Sequence, residues 1–363
     1  MSMAAIRMRE CTQPGRGLVL IHARYILTNG PLRMKPQGRV GRHPTTNRAK
    51  PRVTTTLLER RTRALQRFLP SAIKGDYHGV HQARVATRRL REAVPVLTSG
   101  AKGAKAGKAK RKIRRLTRAL GTVRELDVTM SVLDELAQRP GIPRNALEDV
   151  RAHVLSERED RRKVMLERLG EVDADKLSRR LHEVAAALSN GSPNAWREVL
   201  AKRLVTRAKR FSAAMHEAGH IYAPERLHRV RIAAKKLRYA LEIAADGRVA
   251  GAQPLVGMLK RAQDTLGRLH DLQILQHHVA EVQAAPPTRR GAADGALQAI
   301  GSALEADCRH LHAKYLATSA ALIDLGEQSH SVIAPKVLRS GPRPRPLKMS
   351  LAAARTKPRA RRA

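Results

Sequence analysis

The chain has 363 residues, with 71 Lys plus Arg against 31 Asp plus Glu and a formal net charge of +40. That length holds two domains or one large one. A polycation of this size repels itself unless an anion neutralises it, which points to nucleic acid, an anionic membrane or another polyphosphate. Aromatic residues are only 2% of the chain, with Trp196 the one tryptophan. Recognition of single strands by base stacking therefore has few platforms, while binding to a phosphate backbone alone stays open.

Residues 1–50 carry ten basic residues and one acid, Glu10, with scattered Pro and Gly. No apolar period runs through them, so they read as a disordered basic leader. Within this stretch, GLVLIHARYIL at 17–27 is too short for a membrane span and is broken by His22 and Arg24. It also lacks the clean apolar stretch and small-residue cleavage site of a signal peptide. The expectation is a leader ahead of the folded part, or a start codon placed too early. Cys11 and Cys308 lie far apart and suggest neither a disulfide framework nor a zinc pattern, which fits a reducing, cytoplasmic setting.

From residue 53 onward Ala, Leu, Arg and Glu dominate and no strand pattern competes. The periodicity predicts helices near 53–74, 77–98, 106–138, 144–169 and 175–189. After NGSPN it predicts helices near 195–218, 224–245, 254–284 and 291–322. Gly75-Asp76, Pro140-Gly141, Gly191-Ser192-Pro193, Pro224 and Pro286-Pro287 punctuate them. Pro95 should kink or end the second helix. The fold class expected is all-α. Residues 323–363, ending GPRPRPLKMSLAAARTKPRARRA, read as a flexible basic tail.

The second helix contains VHQARVATRRLREAV, and the helix near 224–245 contains LHRVRIAAKKLRYAL. His81, Arg84, Arg88, Arg89 and Arg91 return as His228, Arg231, Lys235, Lys236 and Arg238, 147 residues on. A second motif, LGTVRELDV at 120–128, returns as LGRLHDLQI at 266–274. Two motifs repeated in order indicate an internal duplication, each copy about four helices. On this reading one bundle spans 51–170, a linker 171–194 and a second bundle 195–322.

At about 100° per residue, His81, Arg84, Arg88 and Arg91 share an arc of about 80°. Arg89 flanks it, and Ala83, Ala86, Leu90, Val94 and Leu97 fall opposite. In the second copy His228, Arg231, Lys235 and Arg238 form the stripe and Lys236 the flank. Its core face is Val230, Ala233, Leu237, Leu241 and Ala244. Solvated helix faces usually mix charge signs; these stripes hold no acid, and like charges at this spacing cost helix stability. Repetition of that cost at matching positions argues for a bound counter-ion. Arg111, Arg114, Arg115 and Arg118 also share one helix side, opposite Ile113, Leu116 and Leu120. The second copy offers Lys260 and Arg261 there, with Asp264 in place of Arg118, so the first half should supply more charge.

Arginine forks suit phosphate oxygens, lysine adds a point charge, and His81 and His228 would strengthen binding as pH falls. Glu125, Asp127 and Asp271 are expected to orient arginines through ion pairs rather than to catalyse. The pairs His277-His278 and His310/His312 could bind metal, but without a recognisable carboxylate or thiol ligand set they read as surface histidines, and no metal site is assigned. Neither a Gly-rich phosphate loop nor a hydrolase motif is present. The chain is expected to be a binding protein without cofactors, not an enzyme.

The combination VHQARVATRRLR, LGTVRELDVTMSVL, LHRVRIAAKKLRYALE and LGRLHDLQIL resembles the CHAD family, the conserved histidine α-helical domain, over roughly residues 51–320. The resemblance implies two similar four-helix bundles around a basic groove or pore, binding of inorganic polyphosphate, and location on polyphosphate granules. It also brings in polyhydroxyalkanoate granules and triphosphate-tunnel enzymes as partners of some members. No acidic, strand-rich segment of that enzyme kind is present here, so such a partner would be a separate chain. The residues implicated are His81, Arg84, Arg88, Arg89 and Arg91, and His228, Arg231, Lys235, Lys236 and Arg238. Against the pattern, His270 replaces the base held by Arg124, and Gln273 replaces Asp127. A nucleoid-associated protein that grips nucleic acid by charge, and a structural protein of polyester granules, remain alternatives.

Overall fold

The computed structural model describes residues 53–99, 104–188, 194–286 and 294–332. The leader assigned to 1–50, with Cys11, and the tail beyond 332 lie outside them. Every regular element among the described residues is a helix. In chain order they are α1 (Val53–Ile73), α2 (Tyr77–Leu97), α3 (Ala104–Ala119), α4 (Gly121–Ala137), α5 (Arg144–Gly170) and α6 (Ala174–Ala187). Then come α7 (Ala195–Ala218), α8 (Pro224–Asp246), α9 (Ala252–Ala284), α10 (Asp294–Leu316) and α11 (Ser319–Ser331). No helix among them is long and apolar enough to cross a membrane.

Local signals set most boundaries. Gly75 takes φ +79, a left-handed turn that suits glycine, and reverses the chain between α1 and α2. Asp76 then caps α2, its carboxylate accepting from the Gly79 backbone N–H at 2.6 Å. Asp173 caps α6 in the same way through Lys176 N at 2.7 Å. Pro224 opens α8, where a missing N–H costs nothing. Pro95 ends α2 within two residues, at Leu97.

Two boundaries depart from the expected ones. The helix expected over 106–138 breaks at Leu120, where ψ opens to −5° and the chain makes a turn, while α9 runs unbroken for 33 residues. The last helix breaks at Ala317-Thr318, and α11 continues to Ser331, past the expected end at 322.

The expected core faces are buried. Ala83, Ala86, Leu90, Val94 and Leu97 of α2 are all in the core, as are Val230, Leu237, Leu241 and Ala244 of α8. Ala233 is only half-buried, and Ala234 takes its place. The buried apolar residues form two clusters, and each draws on both sides of residue 194. One joins α1, α2, α3, α6 and the end of α5 to α7, α8, α11 and the first half of α9. The other joins α4 and the start of α5 to α10 and the second half of α9. Ion pairs add to the seam: Arg61 to Asp246 at 2.6 Å, Arg207 to Glu92 at 2.6 Å and Arg139 to Asp307 at 2.7 Å.

Candidate anion-binding site

Helix α2 packs against α8, which brings the two repeated cationic stripes together. Arg84 and Arg88 come from α2, Arg231 and Lys235 from α8, and all four are half-buried. None makes an ion pair with a carboxylate among the described residues. Burial first, and then the neighbouring positive charges, lower the pKa of three of them, Arg84, Arg231 and Lys235. Burial, with Arg231, Arg88, Arg84 and Arg238 around it, pulls the Lys235 ammonium from its ordinary 10.5 to about 7. Burial and the neighbouring Arg88 hold the Arg84 guanidinium down at about 10, with only Glu125 and Tyr239 opposing. Arg231 is lowered by burial and by Arg88 despite the opposing charge of Asp271. Shifted groups of this kind, buried beside like charges, collect at functional sites.

The histidines flank these cations. His81 is shifted down by burial and by Arg124, His78, Arg84 and Arg88, and its Nδ1 is buried without a hydrogen-bond partner. His228 is likewise lowered by burial, Arg231 and Lys235. Its Nδ1 lies 3.4 Å from Nδ1 of His270, whose pKa burial and Arg231 bring to about 3, so His270 stays neutral.

The second motif supplies the floor. A Cβ at Gly121 would sit 2.5 Å from Nη1 of Arg84, so the guanidinium rests directly on the first turn of α4. Arg124, one turn on, donates to the Tyr77 hydroxyl at 2.6 Å and lies over that ring at 5.3 Å. The carboxylates act at a distance. Glu125 is exposed, yet its charge reaches Arg84, Arg231 and His228. Asp271 is raised by burial, with Arg231, Arg268, Arg124 and Lys235 pulling it back. Asp127 instead pairs with Arg158 of α5 at 2.9 Å, away from the stripe.

The remaining predicted residues divide in two. Arg89 pairs with Glu242 at 3.4 Å and Arg91 reaches Glu92 at 4.0 Å. Arg238 is held by Glu242 and by Gln263 at 2.7 Å. These three therefore already have counter-charges. Lys236 is exposed and its carbonyl accepts from Arg207 at 2.8 Å. Arg111, Arg114, Arg115 and Arg118 are exposed on α3 opposite the buried Ile113, Leu116 and Leu120, and Lys260 and Arg261 are exposed on α9. The sequence reading did not place Arg124, His270, Asp271 or Tyr239 among the site residues. Arg124 and His270 occupy the same position of the LGxx(R/H) motif, which was the available signal. Of the histidines read as surface groups, His277 and His310 are exposed, but His278 and His312 are buried.

Comparison with known proteins follows this geometry. The CHAD domain family model matches residues 56–280. No curated protein matches. Among solved structures, the crystal structure of the CHAD domain from the plant Ricinus communis is similar, with a TM-score of 0.52 at 25% identity, over 74% of this chain and 90% of that one. PptA from Streptomyces chartreusis shares the fold at 16% identity, with a TM-score of 0.50, over 77% of this chain and 98% of its own.

Proposed function

Because the chain belongs to the CHAD domain family, we propose that it binds inorganic polyphosphate where α2 meets α8, and that it holds the polymer without cleaving it. The observation that carries this reading is the set Arg84, Arg88, Arg231 and Lys235, four half-buried cations that make no ion pair with a carboxylate among the described residues, three of which, Arg84, Arg231 and Lys235, are held below their ordinary pKa by burial and by their cationic neighbours. A linear polyanion offsets that repulsion along the length of both helices. Arginine forks take its oxygens in bidentate fashion, and Lys235 gains back the proton that burial disfavours. The exposed cations of α3 and α9 extend the favourable field beyond the contact site and speed capture. On this reading the protein resides in the cytoplasm, on polyphosphate granules where these exist.

A direct titration decides it. The full chain is titrated with labelled long-chain polyphosphate over a salt series, beside the variant R84E/R88E/R231E/K235E, with thermal melting as a fold control. The variant is expected to melt no lower and to bind roughly 100-fold more weakly, with a shallower salt dependence because fewer phosphates are neutralised. Equal affinity in the two proteins overturns the proposal. Duplex DNA added at equal phosphate concentration separates the nucleic-acid reading: displacement at parity would make the site a general phosphate-backbone binder.

A further inference from the structure

Away from the α2–α8 cations, the second core brings together histidines and carboxylates that lie far apart in the sequence. Helix α5 carries His153 and Glu157, one turn apart on one face; α9 carries His278 and Glu281 with the same relation. His153, Glu157 and His278 each offer a ligand atom, all within 4.8 Å of one another. Nε2 of His153 is 3.1 Å from Oε2 of Glu281. Nδ1 of His278 is 3.0 Å from that same oxygen and 3.7 Å from Oε2 of Glu157. His278 is buried, its side chain 6% exposed.

We propose that these four side chains form a binding site for one divalent transition-metal ion, zinc first among them, which ties α5 to α9. Three observations support it. First, donors around a four-coordinate zinc at 2.0–2.1 Å stand about 3.3 Å from one another, and the separations of 3.0, 3.1 and 3.7 Å bracket that edge. Second, nitrogens of two imidazoles from different helices, Nε2 of His153 and Nδ1 of His278, converge on one carboxylate oxygen, Oε2 of Glu281, with a second carboxylate, Glu157, beside them. Third, the charge balances: two carboxylates and two neutral imidazoles around a dication sum to zero, which suits a partly buried position.

The surroundings are those of a held ligand set. Oε1 of Glu281 is 3.3 Å from Nε2 of His277, and Oε1 of Glu157 is engaged by Arg161. Each carboxylate thus has one oxygen fixed from outside and one turned to the cluster, the arrangement that orients metal ligands. The apolar neighbours Val150, Val154, Leu275 and Val279 are all in the second core, so the scaffold is rigid. The mixed nitrogen and oxygen donors, without thiolate, favour zinc, nickel or copper over calcium or magnesium. The ion would join α5, which precedes residue 194, to α9, which follows it.

The test uses tag-free full-length protein stripped with a chelator, in phosphate-free buffer, so its result does not depend on polyphosphate binding. Zinc is titrated against a chromophoric chelator, and cobalt is used as a spectroscopic probe. One tight equivalent is expected per chain, with the intense visible absorption of tetrahedral cobalt and a raised melting temperature. The variants are H153A and E157Q, whose side chains are partly exposed, with H310A as a surface control. Loss of a ligand should weaken the tight site by roughly 100-fold or more, given that even outer partners cost 10–100-fold, while H310A leaves it unchanged. Absence of a tight equivalent in the unaltered chain overturns the proposal, as does an equivalent that survives both H153A and E157Q with the same affinity and cobalt spectrum.

Discussion

At the residue scale, Lys235 is the most informative side chain. In the ligand-free protein its ammonium titrates near pH 7 rather than at its ordinary 10.5. Between those values the unfolded chain holds a proton that the native state lacks, so ligand-free stability should rise with pH over that interval. Affinity for polyphosphate should do the reverse. A bound polyanion restores the proton, so binding is strongest where Lys235 is already charged and weakens as pH climbs above about 7, by up to about tenfold per pH unit. His81 and His228, both held below 6.5, add affinity only at lower pH. Substituting K235R keeps the charge at every pH. Binding of the K235R protein measured from pH 6.5 to 8.5 is expected to be nearly flat, and an unchanged slope would remove Lys235 from the site. The sequence put Lys235 in the stripe by its spacing alone. It could not tell Lys235 from Arg238, because the difference is made by Glu242 and Gln263, which hold only the latter.

At the scale of elements, the junction of α3 and α4 links helix geometry to recognition. The chain turns at Leu120, and Gly121 opens α4 with no side chain under the Arg84 guanidinium. Alanine there meets only the far end of a flexible side chain, and a helix gains about 0.5–1 kcal/mol from Gly→Ala. G121A should therefore melt at the same temperature or slightly higher, yet bind polyphosphate several-fold more weakly because Arg84 is displaced. A loss of stability without a loss of affinity would show that Gly121 serves packing alone. The corresponding Gly267 has nothing near its missing Cβ, so G267A is the matched control with unchanged binding. Helix positions were legible because amphipathic period, caps and prolines are local. The break at Leu120 was not, because the LGTV and LGRL segments look alike and α9 passes through its copy unbroken.

At the scale of the whole molecule, both apolar cores mix helices from before and after residue 194, and ion pairs cross the same seam. Such a molecule has no half that keeps its core when the other opens. Leu275, fully buried in the second core, tests this. L275A is expected to lose about 2–5 kcal/mol. Urea unfolding followed by circular dichroism and by Trp196 fluorescence should still give one coincident transition. Trp196 belongs to the first core, so two separated transitions would show that the cores unfold independently.

The amino-acid sequence by itself determined the all-helical fold class, nearly every helix boundary, the buried faces of α2 and α8 and the family. Each of these depends on residues within a few turns of one another, where the 3.6-residue period reports directly. Only the tertiary structure decided which cations are paired with carboxylates, as Arg89, Arg91 and Arg238 are, and which are half-buried without such a pair, as Arg84, Arg88, Arg231 and Lys235 are. It alone brought His153 to Glu281 and Arg207 to Glu92, across 128 and 115 residues. Coulomb forces and coordination depend on distance in space, and helices so far apart in the chain acquire that distance only when their apolar faces pack.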